Sequence, residues 1–390
     1  MFKNLIFFIV MLLTFDAWCY EDIVKKQSFF IPSFKTFNGN EIKNVRVGWE
    51  SYGTLNSDKS NVILICHYFG GNSHAAGRYS INDAKVGYWD SIIGPGKPID
   101  TDKYFVISVD SLVNLEVGNP NVITTGPASI DPATGKPYGM DFPVVTIRDF
   151  VEVQKQVLDS IGIDKLHAVI GPSMGALQAY EWGSVYPDKV SRIIPVIGSG
   201  WASANLIGWL NIWSAPIKLD KNWNKGNYYK GLAPVDGLTE SLKVIALHGQ
   251  HWEWANKNYG RNWADATHNP MDAYANQFQI EQTLYDIAKS RAILSDANHF
   301  LYLAKACQLF FTGHSSSSSE GLSRISAPVM IIYTEKDQIF ISDQVKKTSE
   351  MIAKDGTPVY IVELHGSHGH FDGVISIDQA GEAISQFLNM

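Results

Sequence analysis

Six short runs of apolar, largely β-branched residues recur along the chain. They are VILIC (62–66), YFVISV (104–109), LHAVI (166–170), RIIPVI (192–197), VMIIYT (329–334) and VYIVEL (359–364). Runs of this length and composition read as strands buried on both faces. Helical patterns such as VTIRDFVEVQKQVLDSIG (145–162) lie between several of them. Strands apolar throughout and separated by helices imply a mostly parallel central sheet flanked by helices, an α/β architecture. Ahead of them, FFIPSF (29–34) and IKNVRVGWESYG (42–53) alternate more and flank Asn38-Gly39, which predicts an antiparallel hairpin at the start of the sheet.

Residues 200–320 break the rhythm. They are rich in Trp, Tyr and Asn, carry helical patterns and contain no convincing buried strand. They read as a helical cap inserted over the sheet's C-terminal edge. The core is then 20–199 with 321–390, and the cap 200–320. The run Ser315–Ser319 predicts a surface loop leaving the cap. Apolar residues are 45% of 390, enough for a sizeable core. The net charge of -7 without a basic cluster argues against nucleic acid as a partner.

Residues 1–19 read as a secretory signal: Lys3, the apolar stretch LIFFIVMLL (5–13), then cleavage after Ala17-Trp18-Cys19. The stretch is too short to span a bilayer comfortably, so no stable membrane insertion is expected. The expected location is secreted or periplasmic. Of the remaining cysteines, Cys66 sits inside VILIC and reads as a small buried hydrophobe rather than half of a disulfide. No Cys/His spacing resembles a zinc site, and no cofactor is expected.

The segment KLHAVIGPSMGALQAYEW (165–182) turns from strand to helix through Gly171-Pro172-Ser173-Met174-Gly175. A hydroxyl nucleophile needs exposure, a base within reach and an orienting partner for that base. The corner forces Ser173 out of the strand, and Gly171 and Gly175 remove side chains that would collide there. The helix that follows offers backbone N–H groups and a positive dipole end, with the Met174 N–H as an oxyanion donor. The alternative is a tight turn whose serine merely caps the helix.

After such a corner the partners follow as acid, then histidine. VMIIYTEKDQIF places Asp337 better than Glu335. VYIVELHGSHGHFDGV offers His365, His368 and His370, of which His370 directly follows glycine and precedes the last helical segment. The second oxyanion donor is expected from HYFGG (67–71), from the N–H near Tyr68 or Phe69, with His67 structural.

The chain resembles the homoserine O-acetyltransferases of the α/β-hydrolase superfamily. The resemblance is carried by NVILICHYFGGNSHAAG (61–77), YWDSIIGPGKPIDTDKYFVIS (88–108), TTGPASIDPATGKPYGMDFPVVTIRD (124–149), GPSMGALQAYEW (171–182), DANHFLYLAKA (296–306) and APVMIIYTEKDQIF (327–340). It implies the α/β-hydrolase fold with a helical cap and an acyl-Ser mechanism using Ser173, Asp337 and His370. It also implies a tunnel beneath the cap and dimerisation through cap helices. Three departures touch acceptor recognition. Ser214 in LNIWSAPIKLD (210–220) stands where the family carries an arginine for the acceptor's carboxylate, with no arginine near it in sequence. Phe371, not Asp, follows the histidine, and NLEVGNPNVITTG (114–126) replaces a shorter glycine-rich loop. The expected substrate is a small acyl ester or thioester. The acceptor is left open between a hydroxyl compound and water, and acetyl-CoA is absent outside the cytosol. A non-catalytic binding protein is the third reading. The cap tryptophans 201, 209, 213, 252 and 254 are expected mostly in the cap core or a dimer face.

Overall fold

The computed structural model describes residues 23–314 and 317–390. The expected signal over 1–19 and part of the five-serine run lie outside these residues. Eight strands form one sheet: β1 (Gln27–Lys35), β2 (Glu41–Tyr52), β3 (Val62–Ile65), β4 (Phe105–Val109), β5 (Ala168–Pro172), β6 (Ile193–Val196), β7 (Val329–Tyr333) and β8 (Val359–Glu363). Their spatial order is β1-β2-β4-β3-β5-β6-β7-β8. β1 and β2 pair as the expected hairpin, closed by a turn in which Gly39 takes a φ of 86°. β2 runs antiparallel to β4, and every pairing beyond it is parallel.

Alternation within the central strands feeds two cores. Val62, Leu64 and Cys66 join the core on one face, while Ile63 and Ile65 join the other. Helices α1 (Ile147–Ser160) and α2 (Met174–Val185) cover the first face; α8 (Gly381–Leu388) helps cover the second. VYIVEL departs from the buried strand its composition predicts. Strand β8 pairs only with β7, and Tyr360 and Ile361 are exposed, because it is the edge of the sheet.

Between β6 and β7 the chain leaves the sheet and builds the helical cap from α3 (Ala204–Leu219), α4 (Val235–His248), α5 (Gln279–Ala292) and α6 (Ala297–Gln308). The sequence then re-enters the sheet and adds α7 (Ser342–Ala353) between β7 and β8. Cys66 and Cys307 are both buried and unpaired with each other, Cys66 under the sheet's centre and Cys307 in α6.

A buried ionic cluster fixes the loop that follows β3. Lys26 Nζ lies 2.7 Å from Glu50 and 3.4 Å from Asp110, and it also donates to Ser73 Oγ. His74 and the hydroxyls of Tyr52 and Tyr79 converge on the same Glu50 carboxylate. Burial alone would raise the Glu50 pKa, but its His74 and Lys26 partners outweigh that and leave it at about 2. The ionised form is therefore favoured by folding. Its contribution is full above the ordinary glutamate range and is lost as pH falls from about 4.5 towards 2. Between pH 5 and pH 2.5 wild type is expected to lose about 2 kcal/mol more stability than Glu50→Gln, which urea unfolding at the two pH values measures.

Candidate active site

The strand order reverses at β3, whose neighbours are β4 on one side and β5 on the other. In parallel sheets, sites form at the carboxyl ends of strands flanking such a reversal. Ser173 lies there, directly after β5. Its backbone takes φ 57° and ψ −118°, a strained conformation for a non-glycine residue. The surroundings hold it: its N–H donates to the Val196 carbonyl (2.9 Å), and its carbonyl accepts from Ala176 (2.8 Å). A Cβ on Gly175 would lie 2.1 Å from the Cys66 carbonyl oxygen, and one on Gly171 2.6 Å from the same atom. Both glycines are needed because the corner is pressed against the end of β3.

Of the three candidate histidines, only His370 reaches the serine. Its Nε2 is 2.8 Å from Ser173 Oγ, and its Nδ1 is 2.8 Å from Asp337 Oδ2. The other Asp337 oxygen accepts from the backbone of Ile339 (2.7 Å) and Phe340 (3.0 Å), which fixes the carboxylate. With Asp337 as acceptor the imidazole proton sits on Nδ1, leaving Nε2 free to accept. His368 instead bonds Gln250, and His365 is exposed beside Glu363. Glu335 pairs with Lys346 on the surface, and the hydrogen bond from that lysine lowers its pKa. Asp372 is buried and accepts from Ser376 and from the His368 N–H, so it braces the histidine loop from below.

The loop after β3 is braced as well. His67 is fully buried, and burial lowers its pKa, keeping the ring neutral. Its Nε2 accepts from the Ser111 N–H (3.0 Å), so Nδ1–H donates to the Tyr68 carbonyl (2.8 Å). This is the structural role expected of it. The N–H groups of Tyr68, Phe69 and Met174 have no hydrogen-bond partner among the described residues. Unpaired amides beside a nucleophile are what an oxyanion needs.

Above Ser173 lies a cavity of about 330 Å³. Its walls are mostly apolar: Phe69, Trp213, Ile245, Trp254, Ile287 and Ile375 are among them. Of the five cap tryptophans, Trp213 and Trp254 therefore face the site, Trp209 stacks on His248 and Trp252 is exposed. The end of α4 docks on the acid loop: His248 accepts from Trp213 Nε1 and hydrogen-bonds the backbone of Gln338, next to Asp337. Ser214 does not line this cavity. Its hydroxyl turns back to the Leu210 carbonyl, and the residue faces a separate hollow beside Lys218 and Trp223. Phe371 does line it.

One wall residue was invisible from sequence. Arg291, at the end of α5, is the single Lys or Arg lining the cavity among the described residues. Its Nη2 donates to the Gly70 carbonyl and lies 3.4 Å from Glu116. A Cβ at residue 70 would sit 2.6 Å from Nη2, so a side chain there would push the guanidinium aside. Glu116 belongs to the 114–126 loop. This loop straps the cap to the core: Gly118 donates to Leu294, Asp296 to Leu115, and the Asn114 carbonyl contacts His299 Nδ1.

Residues 61–368 match the model of a family described as the alpha/beta hydrolase fold. The chain is 36% identical to a homoserine O-acetyltransferase of Deferribacter desulfuricans over 92% of this chain and 94% of that protein. Among solved structures, homoserine O-acetyltransferase from Bacillus anthracis superimposes with a TM-score of 0.90 at 37% identity, covering 95% of this chain and 98% of that one. Esterase E22 superimposes with a TM-score of 0.89 at 49% identity, covering 94% and 100%.

Proposed function

The chain belongs to the homoserine O-acetyltransferase family of the alpha/beta hydrolases, and from that premise we propose that it hydrolyses small carboxylic esters through an acyl-Ser173 intermediate. The observation carrying the choice of water as acceptor is the cavity wall. A hydroxy amino acid brings a carboxylate and an ammonium, and a buried carboxylate calls for a bidentate cation. Here Ser214 is turned away, and the cavity's single arginine among the described residues donates to the Gly70 carbonyl and lies 3.4 Å from Glu116. An apolar wall suits an uncharged ester. The solved esterase at 49% identity supports the same choice. The secretion expected from residues 1–19 is consistent with it, since acetyl-CoA is a cytosolic donor.

In this mechanism Ser173 Oγ attacks the ester carbonyl carbon as its proton passes to His370 Nε2. Asp337 keeps the imidazole oriented and stabilises its charged form. The Met174 and Phe69 N–H groups receive the tetrahedral oxyanion. The C–O bond to the alcohol then breaks, and His370 returns the proton to the departing alkoxide. Water enters, gives a proton to His370 and attacks the acyl carbon. Collapse of the second tetrahedral species releases the acid and restores Ser173 Oγ–H.

A second reading, acyl transfer to an uncharged alcohol, follows from the O-acetyltransferase relatives and uses the same acyl-enzyme. Turnover of p-nitrophenyl acetate with homoserine, serine or neutral alcohols added in turn separates the two. The expected result is stoichiometric free acetate at a rate that no added hydroxyl compound changes. A new acetyl ester at the expense of acetate would establish transfer, and the productive alcohol would define the acceptor.

A further inference from the structure

We propose that Glu116 and Arg291 form a charge lock that makes this cavity select uncharged esters over esters carrying a carboxylate. The inference rests on the hydrolytic reading and specifies its substrate class. Arg291 is the cavity's only guanidinium or ammonium among the described residues. A lone arginine in an apolar pocket would ordinarily mark an anionic substrate. Here a counter-charge stands 3.4 Å from its Nη2 before any substrate arrives, while the arginine side chain itself stays 36% exposed.

The counter-charge is built in rather than incidental. Glu116 is largely buried, with a side-chain exposure of 14%. Its Oε2 accepts from Asn119 Nδ2 (3.1 Å) and Asn72 Nδ2 (3.4 Å), and its backbone N–H donates to Asn114 Oδ1. The carboxylate is thus fixed in place, unlike a mobile surface partner. On the other side Arg291 donates to the Gly70 carbonyl, a contact that the absence of a side chain at residue 70 permits. Backbone bonds from Gly118 to Leu294 and from Asp296 to Leu115 hold the two segments together. A substrate carboxylate would have to compete with Glu116 for the guanidinium. It would also enter a cavity whose other nearby fixed charge, Asp337 behind His370, is of its own sign.

The test compares dimethyl glutarate with monomethyl glutarate at pH 7.5, reading methanol release, in wild type and Glu116→Gln. These esters differ in one charge and hardly in shape. Wild type is expected to favour the diester by about 100-fold in kcat/KM, and Glu116→Gln to narrow that ratio by about tenfold through the KM of the monoester. The diester kcat/KM should stay within about twofold of wild type. Three results overturn the inference: comparable wild-type rates on both esters, an unchanged ratio in Glu116→Gln, or an equal fall on both esters in that variant. The wild-type ratio decides even if the variant does not fold. If wild type cleaves neither ester, the hydrolytic reading fails on its own. The lock is then read by binding: quenching of Trp213 and Trp254 fluorescence in Ser173→Ala should still favour the diester, and equal affinities would overturn it.

Discussion

Ser173→Ala is expected to lower kcat on p-nitrophenyl acetate by about 10⁴-fold or more while leaving the unfolding midpoint unchanged. The size follows from the chain of contacts. Ser173 Oγ is the only nucleophile within reach of His370 Nε2 among the described residues, and Asp337 is committed to the other ring nitrogen. Groups that act as one unit lose their effect together. His370→Ala should therefore match the serine variant, and the double variant should be no worse than either alone. His368→Ala should retain most activity, because its ring is tied to Gln250 and makes no hydrogen bond to Ser173 or Asp337. A fluorophosphonate probe should label wild type and not Ser173→Ala. If His368→Ala abolished turnover while His370→Ala did not, the assignment of the base would be wrong.

The second large effect concerns backbone rather than chemistry. Gly175→Ala should destabilise the protein by about 3 kcal/mol or more. The added methyl would stand 2.1 Å from the Cys66 carbonyl oxygen and 3.2 Å from that of His67. These are backbone atoms at the end of a central strand, so no side-chain rotation relieves the clash. The same displacement reaches the 68–70 loop. Activity per folded molecule should fall too, since a shift of about 1 Å in a catalytic group costs on the order of 100-fold. Gly208→Ala is the control. It sits on the exposed face of α3 with nothing within 4 Å of a new Cβ, and should be neutral or stabilising by up to about 1 kcal/mol. Urea midpoints and specific activity of both variants check the contrast in sign.

The hydrogen-bonded chain of Ser173, His370 and Asp337 could be anticipated from the sequence because its members sit at the ends of strands with a strong local signature. The corner around Ser173 announces itself through two glycines between a strand and a helix. Asp337 and His370 follow their strands at short distances. Choosing among three histidines within six residues rested on position in the motif, and the 2.8 Å contacts single out His370. Arg291 could not be found this way. Its partners, Gly70 and Glu116, are 221 and 175 residues away in sequence, and no local pattern marks an arginine at the end of a cap helix as part of a core loop. The 114–126 loop was legible as a departure, but its function as a strap depends on contacts with the end of the cap. The exposed face of β8 was missed for a related reason: composition tells a strand from a helix, but only topology tells an edge from a centre.

The two buried thiols give the molecule a pair of internal clocks. Burial raises the pKa of both, so neither reacts with a thiol reagent while its surroundings stay closed. Cys66 lies beneath the corner that holds Ser173, and Cys307 lies in the cap. The labelling rate of each cysteine therefore times the opening of its own layer. A cap that detaches ahead of the core would expose Cys307 first, and a cooperative unfolding would expose both at one rate. The strap at 114–126 ties the layers through several bonds, so the two rates should converge in wild type. Cutting the strap's contacts should separate them.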